Sequence, residues 1–316
     1  KDLRALRGDG LTIWQRYGKV TNLLFLLLMG LQFLPDQTQK DAQSSYVLWF
    51  AAGVEALVLL LSTLVKKRRT LNLFVDVIGV LYAFLIGWTL LTAKLNWLKE
   101  ALFPPPGRVF AQFLGDWDKI ILNILSSLGI ILQGYLLAAV IAIPLGLFLG
   151  WCTRIGNTAT YISKFLSSIP PIVYIPYGIA LLPTFRSVSV FVIFLAAFWP
   201  ILAGTMSGVL NVDKRMIDSA KVLNVGPVSM LFSVILPASL PQIFLGCNQG
   251  LTVSFILLTS AEMIGAQDGM GYYVKQYSDF GDYTRTVVGL LVIGIVVVTI
   301  SFLFQKLQNR LLHWKR

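Results

Sequence analysis

Charge is scarce in this chain: only 13% of its 316 residues are Lys, Arg, Asp or Glu, where a soluble domain carries about 25%. Histidine occurs once, as His313, and the two cysteines, Cys152 and Cys247, stand far apart with no second Cys or His at ligand spacing. A disulfide framework and a Cys/His metal site are therefore excluded. An intramembrane enzyme is left without a cluster of nucleophile, base and metal ligand. No G-x-x-x-x-G-K-[S/T] run occurs, so nothing in the chain cradles a nucleotide phosphate. There is no repeat to support a fibrous fold, and the 56% of hydrophobic residues is too many for a disordered one. What the chain has in abundance is apolar sequence, with a mean hydropathy of +0.74, and that places it in a membrane.

A hydrocarbon core about 30 Å thick needs about 20 helical residues. Apolar stretches of that order occur at 17–34, 46–65, 71–91, 119–150, 158–182, 188–210, 240–262 and 284–304. The sequence thus predicts an all-α polytopic membrane protein with about eight transmembrane helices. The fifth stretch carries Pro170, Pro171 and Pro176. Each removes a helix hydrogen bond, so broken backbone is expected there. The chain opens on Lys1 rather than Met, so a natural start is expected to precede it. No small-residue cleavage site follows the first apolar run, so that span is expected to be retained.

If the spans alternate sides, the face holding both termini carries 18 of the 26 Lys and Arg residues and the other face 8. Basic loops stay in the cytoplasm, so the bias predicts cytoplasmic termini and a cytoplasmic loop at 211–239. The net charge of +11 is then topological, and no nucleic-acid partner is expected. Between spans three and four, Trp97, Leu98, Leu102, Phe103, Pro104 to Pro106, Val109, Phe110 and Phe113 suggest a Pro-broken amphipathic segment at 93–118 in the outer interface.

Three acids fall in apolar stretches, where a charge costs about 2.5 kcal/mol or more and is usually paired, protonated or facing a cavity. Asp76 lies near Lys67, Arg68 and Arg69, which suggests an ion pair at the inner interface. Glu55 sits mid-span and is expected to pack against a neighbouring helix or to be protonated. Glu262 ends the seventh span beside a Gly-rich loop with Gly269 and Gly271. It either organises that loop as part of an outer gate or caps it structurally.

The polar half of the 211–239 loop carries a helix signature. Asp213 is a good N-cap, Lys214 to Leu223 can be helical with Met216, Ile217, Ala220 and Leu223 on one face, and Asn224 suits a left-handed stop. So short a helix needs a partner surface. Covering its own loop at the membrane surface is one possibility.

The residues Asp218, Ser219 and Ala220, Asn224 after three more, then Val234, Ile235, Leu236 and Pro237 after a further nine resemble the E-A-A-x3-G-x9-I-x-L-P motif of ABC-importer permeases. Asp replaces Glu, Ser the first Ala, Asn the Gly and Val the Ile. Further stretches are similar to permeases of the taurine, alkanesulfonate, nitrate and bicarbonate group: Phe103 to Val109, Ser127 to Gly150, Ser168 to Pro176, and Ala261 to Ala266 followed by Gly269 to Tyr272. The similarity covers roughly Leu102 to Arg316.

The resemblance implies a type I importer permease core at 119–316, preceded by N-terminal membrane helices at 1–92, two of them outside the family core. It also implies that Asp213, Lys214, Met216, Ile217, Asp218, Ser219, Ala220, Lys221, Leu223, Asn224 and Gly226 form a coupling helix and its stop. That helix would dock on one of two cytoplasmic ABC ATPase subunits, which would hold the ATP and Mg. This chain is expected to bind no cofactor and to catalyse nothing. A second permease chain, first as a homodimer, and an external solute-binding protein complete the implied assembly in the bacterial inner membrane.

For the solute path, the helix-breaking run offers Ser167, Ser168, Tyr174 and Tyr177 as hydroxyl donors, with Pro170, Pro171 and Pro176 exposing backbone groups. The prolines could equally serve only to bend the helix. No Lys or Arg lies within spans six or seven, so a strong fixed anion site is not expected there. The competing reading, a secondary transporter, calls for related halves or a proton-relay cluster, and the sequence shows neither.

Overall fold

The computed structural model describes residues 20–38, 41–64 and 68–312. The basic residues Lys1, Arg4, Arg7, Arg16, Lys19, Lys40, Lys66, Lys67, Lys315 and Arg316 lie outside them, as do Asp2, Asp9, His313 and the start of the first expected span at Tyr17. Among the described residues all regular structure is helical. Six helical stretches are long and apolar enough to cross a membrane: Ser44–Ser62, Leu73–Lys94, Trp117–Trp151, Phe185–Leu210, Pro227–Gly265 and Tyr283–Leu311. The fifth of the eight expected spans is instead the shorter apolar helix Pro171–Leu181, and the first is described only from Val20, as Val20–Gln32, so among the described residues six full-length spans are found where eight were expected.

The chain divides into two units, residues 1–117 with 277–288, and 118–276 with 289–316. The first holds α1 (Val20–Gln32), α2 (Ser44–Leu64), α3 (Arg68–Thr89) and α4 (Pro106–Gly115). Leu28, Leu31, Val47, Ala51, Tyr82 and Leu85 form its core. Glu55 is buried there, and Tyr82 Oη donates to its Oε2 at 3.0 Å, so the acid packs against a neighbouring helix as expected. The expected pairing of Asp76 falls on Lys67, Arg68 and Arg69, whose side chains lie outside those described. Ion pairs tie the loops of this unit: Lys94 with Asp36 at 2.6 Å, Arg108 with Glu100, and Arg285 with Asp116 at 2.6 Å and Asp282 at 2.7 Å. Pro106 opens α4, where its missing N–H costs nothing. Phe110 of α4 stacks on Phe50 of α2 at 4.6 Å, so the amphipathic segment is packed on a helix of its own unit.

The second unit contains α5 (Trp117–Trp151), α6 (Thr153–Ser167), a 3-10 turn at Pro171–Tyr174, α7 (Ile175–Leu181), α8 (Phe185–Leu210), α9 (Lys214–Val222) and α10 (Leu236–Gly265). α11 (Met270–Asp279) and α12 (Tyr283–Leu311) follow and continue into the first unit. The expected fifth span is broken where the prolines stand. Proline also explains why the seventh begins earlier than expected, since the π-helical turn Met230–Ile235 directly precedes Pro237. A widened turn spares the backbone a clash with the proline ring. α8 and α10 are the most closely associated pair: a Cβ on Gly204 would lie 2.8 Å from Gly246 Cα. In a membrane such small residues bring helix backbones into contact.

Candidate functional site

Three sites were expected, and the second unit contains all of them. The loop helix α9 starts at Lys214, with Asp213 Oδ1 accepting the Arg215 amide at 2.9 Å as N-cap. It ends at Val222, one residue before the expected Leu223. Asn224 adopts φ +54°, and the Asn224 and Val225 amides donate to Lys221 O and Ala220 O at 2.9 and 3.1 Å. That pair of bonds is a Schellman closure, so the left-handed stop expected at Asn224 is present. Gly226 then extends into Pro227.

The expected single apolar face of α9 divides in two. Ala220, 7% exposed, is buried with Val212 and Met230, and Ile217 packs on the same cluster. Met216 and Leu223 point away, 49% and 77% exposed, with Val222 beside them. The helix is thus fastened to its own chain by one side and presents an apolar surface on the other. Asp218 and Lys221 are exposed and pair at 3.7 Å, and Ser219 is exposed. A 530 Å3 cavity lies behind the helix, lined by Lys214, Ile217, Lys221, Trp151 and Val209 among others.

At the other end of α10, Glu262 is 1% exposed and so is not a rim residue. Its Oε1 accepts from Ser127 Oγ at 2.6 Å and its Oε2 from the Gly271 amide at 2.7 Å. Ser127 Oγ accepts the Met270 amide at 2.8 Å, and Asn123 Oδ1 the Gly269 amide at 2.8 Å. Three consecutive amides of the loop are therefore held by two α5 side chains and one α10 carboxylate. Gly269 has φ +115°, and a Cβ there would stand 2.4 Å from the Glu262 carboxyl group, so only glycine fits. Glu262 therefore holds the loop through the Gly271 amide and Ser127. Sequence reasoning did not single out Asn123 or Ser127 as partners; their four-residue spacing on an otherwise apolar helix was the available signal.

The proline run packs by Ile175 against Val188, Val192 and Ala196 of α8 and Leu257 and Ala261 of α10. Pro170 is extended, Pro171 opens the 3-10 turn and Pro176 begins α7. The Ser167 and Ser168 hydroxyls donate to Lys164 O at 3.1 and 2.8 Å. Tyr177 is exposed and Tyr174 half-buried.

Residues 142–315 match the family described as binding-protein-dependent transport system inner membrane component. A probable ABC transporter permease protein of Brucella abortus (strain 2308) is 34% identical over 72% of this chain and 91% of its own length. The taurine transport system permease protein TauC of Escherichia coli (strain K12) is 27% identical over 78% of this chain and 90% of its own. The nitrate import permease protein NrtB of Leptolyngbya laminosa is 28% identical over 64% and 72%. Among solved structures, an inward-facing MetNI methionine ABC transporter superposes with a TM-score of 0.53 at 20% identity, over 61% of this chain and 96% of that one.

The chain belongs to the binding-protein-dependent inner membrane component family: it is a multi-pass permease subunit of an ABC importer, non-catalytic and without a cofactor of its own. Membership implies ATPase and solute-binding partners.

Proposed function

We propose that two copies of this chain form the path of a small anion across the inner membrane, each seating α9 in one of two cytoplasmic ATPase subunits that bind ATP and Mg. The carrying observation is α9 itself. It is capped at both ends, anchored through Ala220 and Ile217, and offers Met216, Val222 and Leu223 outward with no cover from the described residues of its own chain. An exposed apolar patch on a rigid base is what a docking element requires. The basic bias supports cytoplasmic termini and a cytoplasmic α9, with residues 119–316 as the permease core, 1–92 as N-terminal membrane helices and 93–118 at the outer interface. An anionic cargo, delivered by an external binding protein, is supported by the nitrate, taurine and bicarbonate transport named for relatives. The Pro170–Tyr177 run, with Ser167 and Ser168 before it, borders the path at its outer end. The loop of Gly269 and Gly271, pinned by Glu262, forms an outer gate.

The test is reconstitution with the ATPase and binding-protein partners in vesicles. Labelled nitrate, bicarbonate or taurine should accumulate only with Mg-ATP on the ATPase side. Accumulation driven by an ion gradient without ATP would contradict the proposal.

A further inference from the structure

The outward faces of the spans in the second unit are not alike. On α5, Leu122, Leu125, Leu132, Val140 and Phe148 are exposed; on α12, Leu290, Ile295, Val298 and Phe302. Such faces suit lipid, with Gln133 of α5 and Thr299 of α12 the exposed polar residues in their central turns. On α10 the exposed line runs Gln242, Leu245, Gln249, Thr252 and Ile256, with Asn248 at its flank. Steps of three and four residues put these on one face of a helix. The opposite face is the one closed on α8 through Gly246 and Gly250.

Asn248 and Gln249 lie 12 and 13 residues into a 30-residue helix, about 20 Å from its start at 1.5 Å per residue. That is mid-membrane depth. The side-chain amides of Gln242, Asn248 and Gln249 have no hydrogen-bond partner among the described residues, while Thr252 Oγ1 donates to Asn248 O at 3.0 Å. Unsatisfied amides in hydrocarbon cost several kcal/mol each, so this face does not meet lipid. Asn and Gln can also bond across helices, but no described helix bonds these amides, and the small residues that draw helix backbones together on α10 face α8. Water in a cavity along this face would satisfy all of them. The proline run flanks the outer half of the same helix, where Ile175 touches Leu257 and Ala261.

We propose that the Gln242–Asn248–Gln249–Thr252 face of α10 is the wall of the water-filled solute path, and that passing oxyanions are held there by neutral amide donors instead of a fixed cation. Each amide offers two N–H donors and one acceptor, enough to replace part of a hydration shell without trapping the solute by charge. The absence of Lys and Arg along α10 fits a path that must release what it binds. The oxyanion class rests on the function proposed above; the aqueous wall does not.

The test uses the assembled transporter in membranes, in a Cys152→Ser, Cys247→Ala background, with single cysteines at Gln249 and Thr252 and, as lipid-facing controls, at Leu290 and Val298. A membrane-impermeant, charged thiol reagent should modify the α10 positions at least about tenfold faster than the controls, since charge is excluded from hydrocarbon. Equal, slow labelling at all four positions would overturn the aqueous wall. Separately, Gln249→Leu should lower the initial rate of ATP-driven oxyanion uptake about tenfold, the scale of one hydrogen bond to a charged group, while retaining the ATPase subunit. Unchanged uptake would overturn the contact with solute. Rapid labelling with no ATP-driven uptake in the unsubstituted protein would leave the wall standing and defeat the function on which the oxyanion class rests.

Discussion

Ser127 on α5 donates to Glu262 on α10 at 2.6 Å while accepting the Met270 amide at 2.8 Å, so one hydroxyl ties two membrane helices to the loop that follows α10. Every group in the arrangement has a partner. Glu262→Gln puts an NH2 where one of two donors, Ser127 or Gly271, now meets an acceptor. Ser127→Ala leaves Glu262 Oε1 and the Met270 amide unpaired. Each substitution is expected to cost about 1–3 kcal/mol, with Ser127→Ala the more damaging. Thermal unfolding of the purified protein in detergent measures this, and unchanged midpoints would show that the bonds contribute nothing.

Gly269→Ala tests the same loop from the backbone side. The new Cβ would meet the Glu262 carboxyl group at 2.4 Å with φ at +115°. A loss of about 1–3 kcal/mol is expected, read as faster protease nicking of the loop at residues 266–269. A resistant Ala variant would mean that the loop has room to shift.

At the end of α9, Asn224→Gly should be neutral or slightly stabilising, because glycine reaches φ +54° without steric cost. Asn224→Val should cost about 1–2 kcal/mol at the same position. Chymotryptic cleavage after Leu223 in the purified complex ranks the three proteins. Equal rates for Asn and Val would contradict the left-handed stop.

The proposed topology predicts that Phe280→Cys, at an exposed turn, reacts with impermeant maleimide in sealed cells, and that Val228→Cys, exposed beside α9, reacts only after the cells are opened. Labelling of Val228→Cys in sealed cells would invert the orientation.

Much of this molecule could be read from its residues, because membrane spans and helix caps depend on local chemistry. Apolar length predicted eight spans, six of which are full-length among the described residues, Asp213 and Asn224 marked both ends of α9, and three prolines marked the broken segment. What could not be read depended on long-range packing. Met216, Ile217, Ala220 and Leu223 share a face by periodicity, but only tertiary contacts decide that Ala220 and Ile217 turn inward and the other two outward. The consequence is specific: Ala220→Arg would unseat α9 from its own chain and would not test docking alone. Glu262 was visible as an acid in an apolar stretch; its partner Ser127, and Asn123, which accepts the Gly269 amide of the same loop, lie more than 130 residues earlier, beyond any local pattern.

The role of α9 is tested most directly by a pull-down of the solubilised complex carrying Met216→Asp and Leu223→Asp together. Both residues are exposed and outside the buried cluster, so the permease should fold and insert normally. Buried charge at a docking surface is strongly penalised, so the ATPase subunit should be lost from the purified permease and ATP-driven uptake abolished. Retention of the ATPase at the wild-type ratio would contradict the assignment of α9 as the docking element.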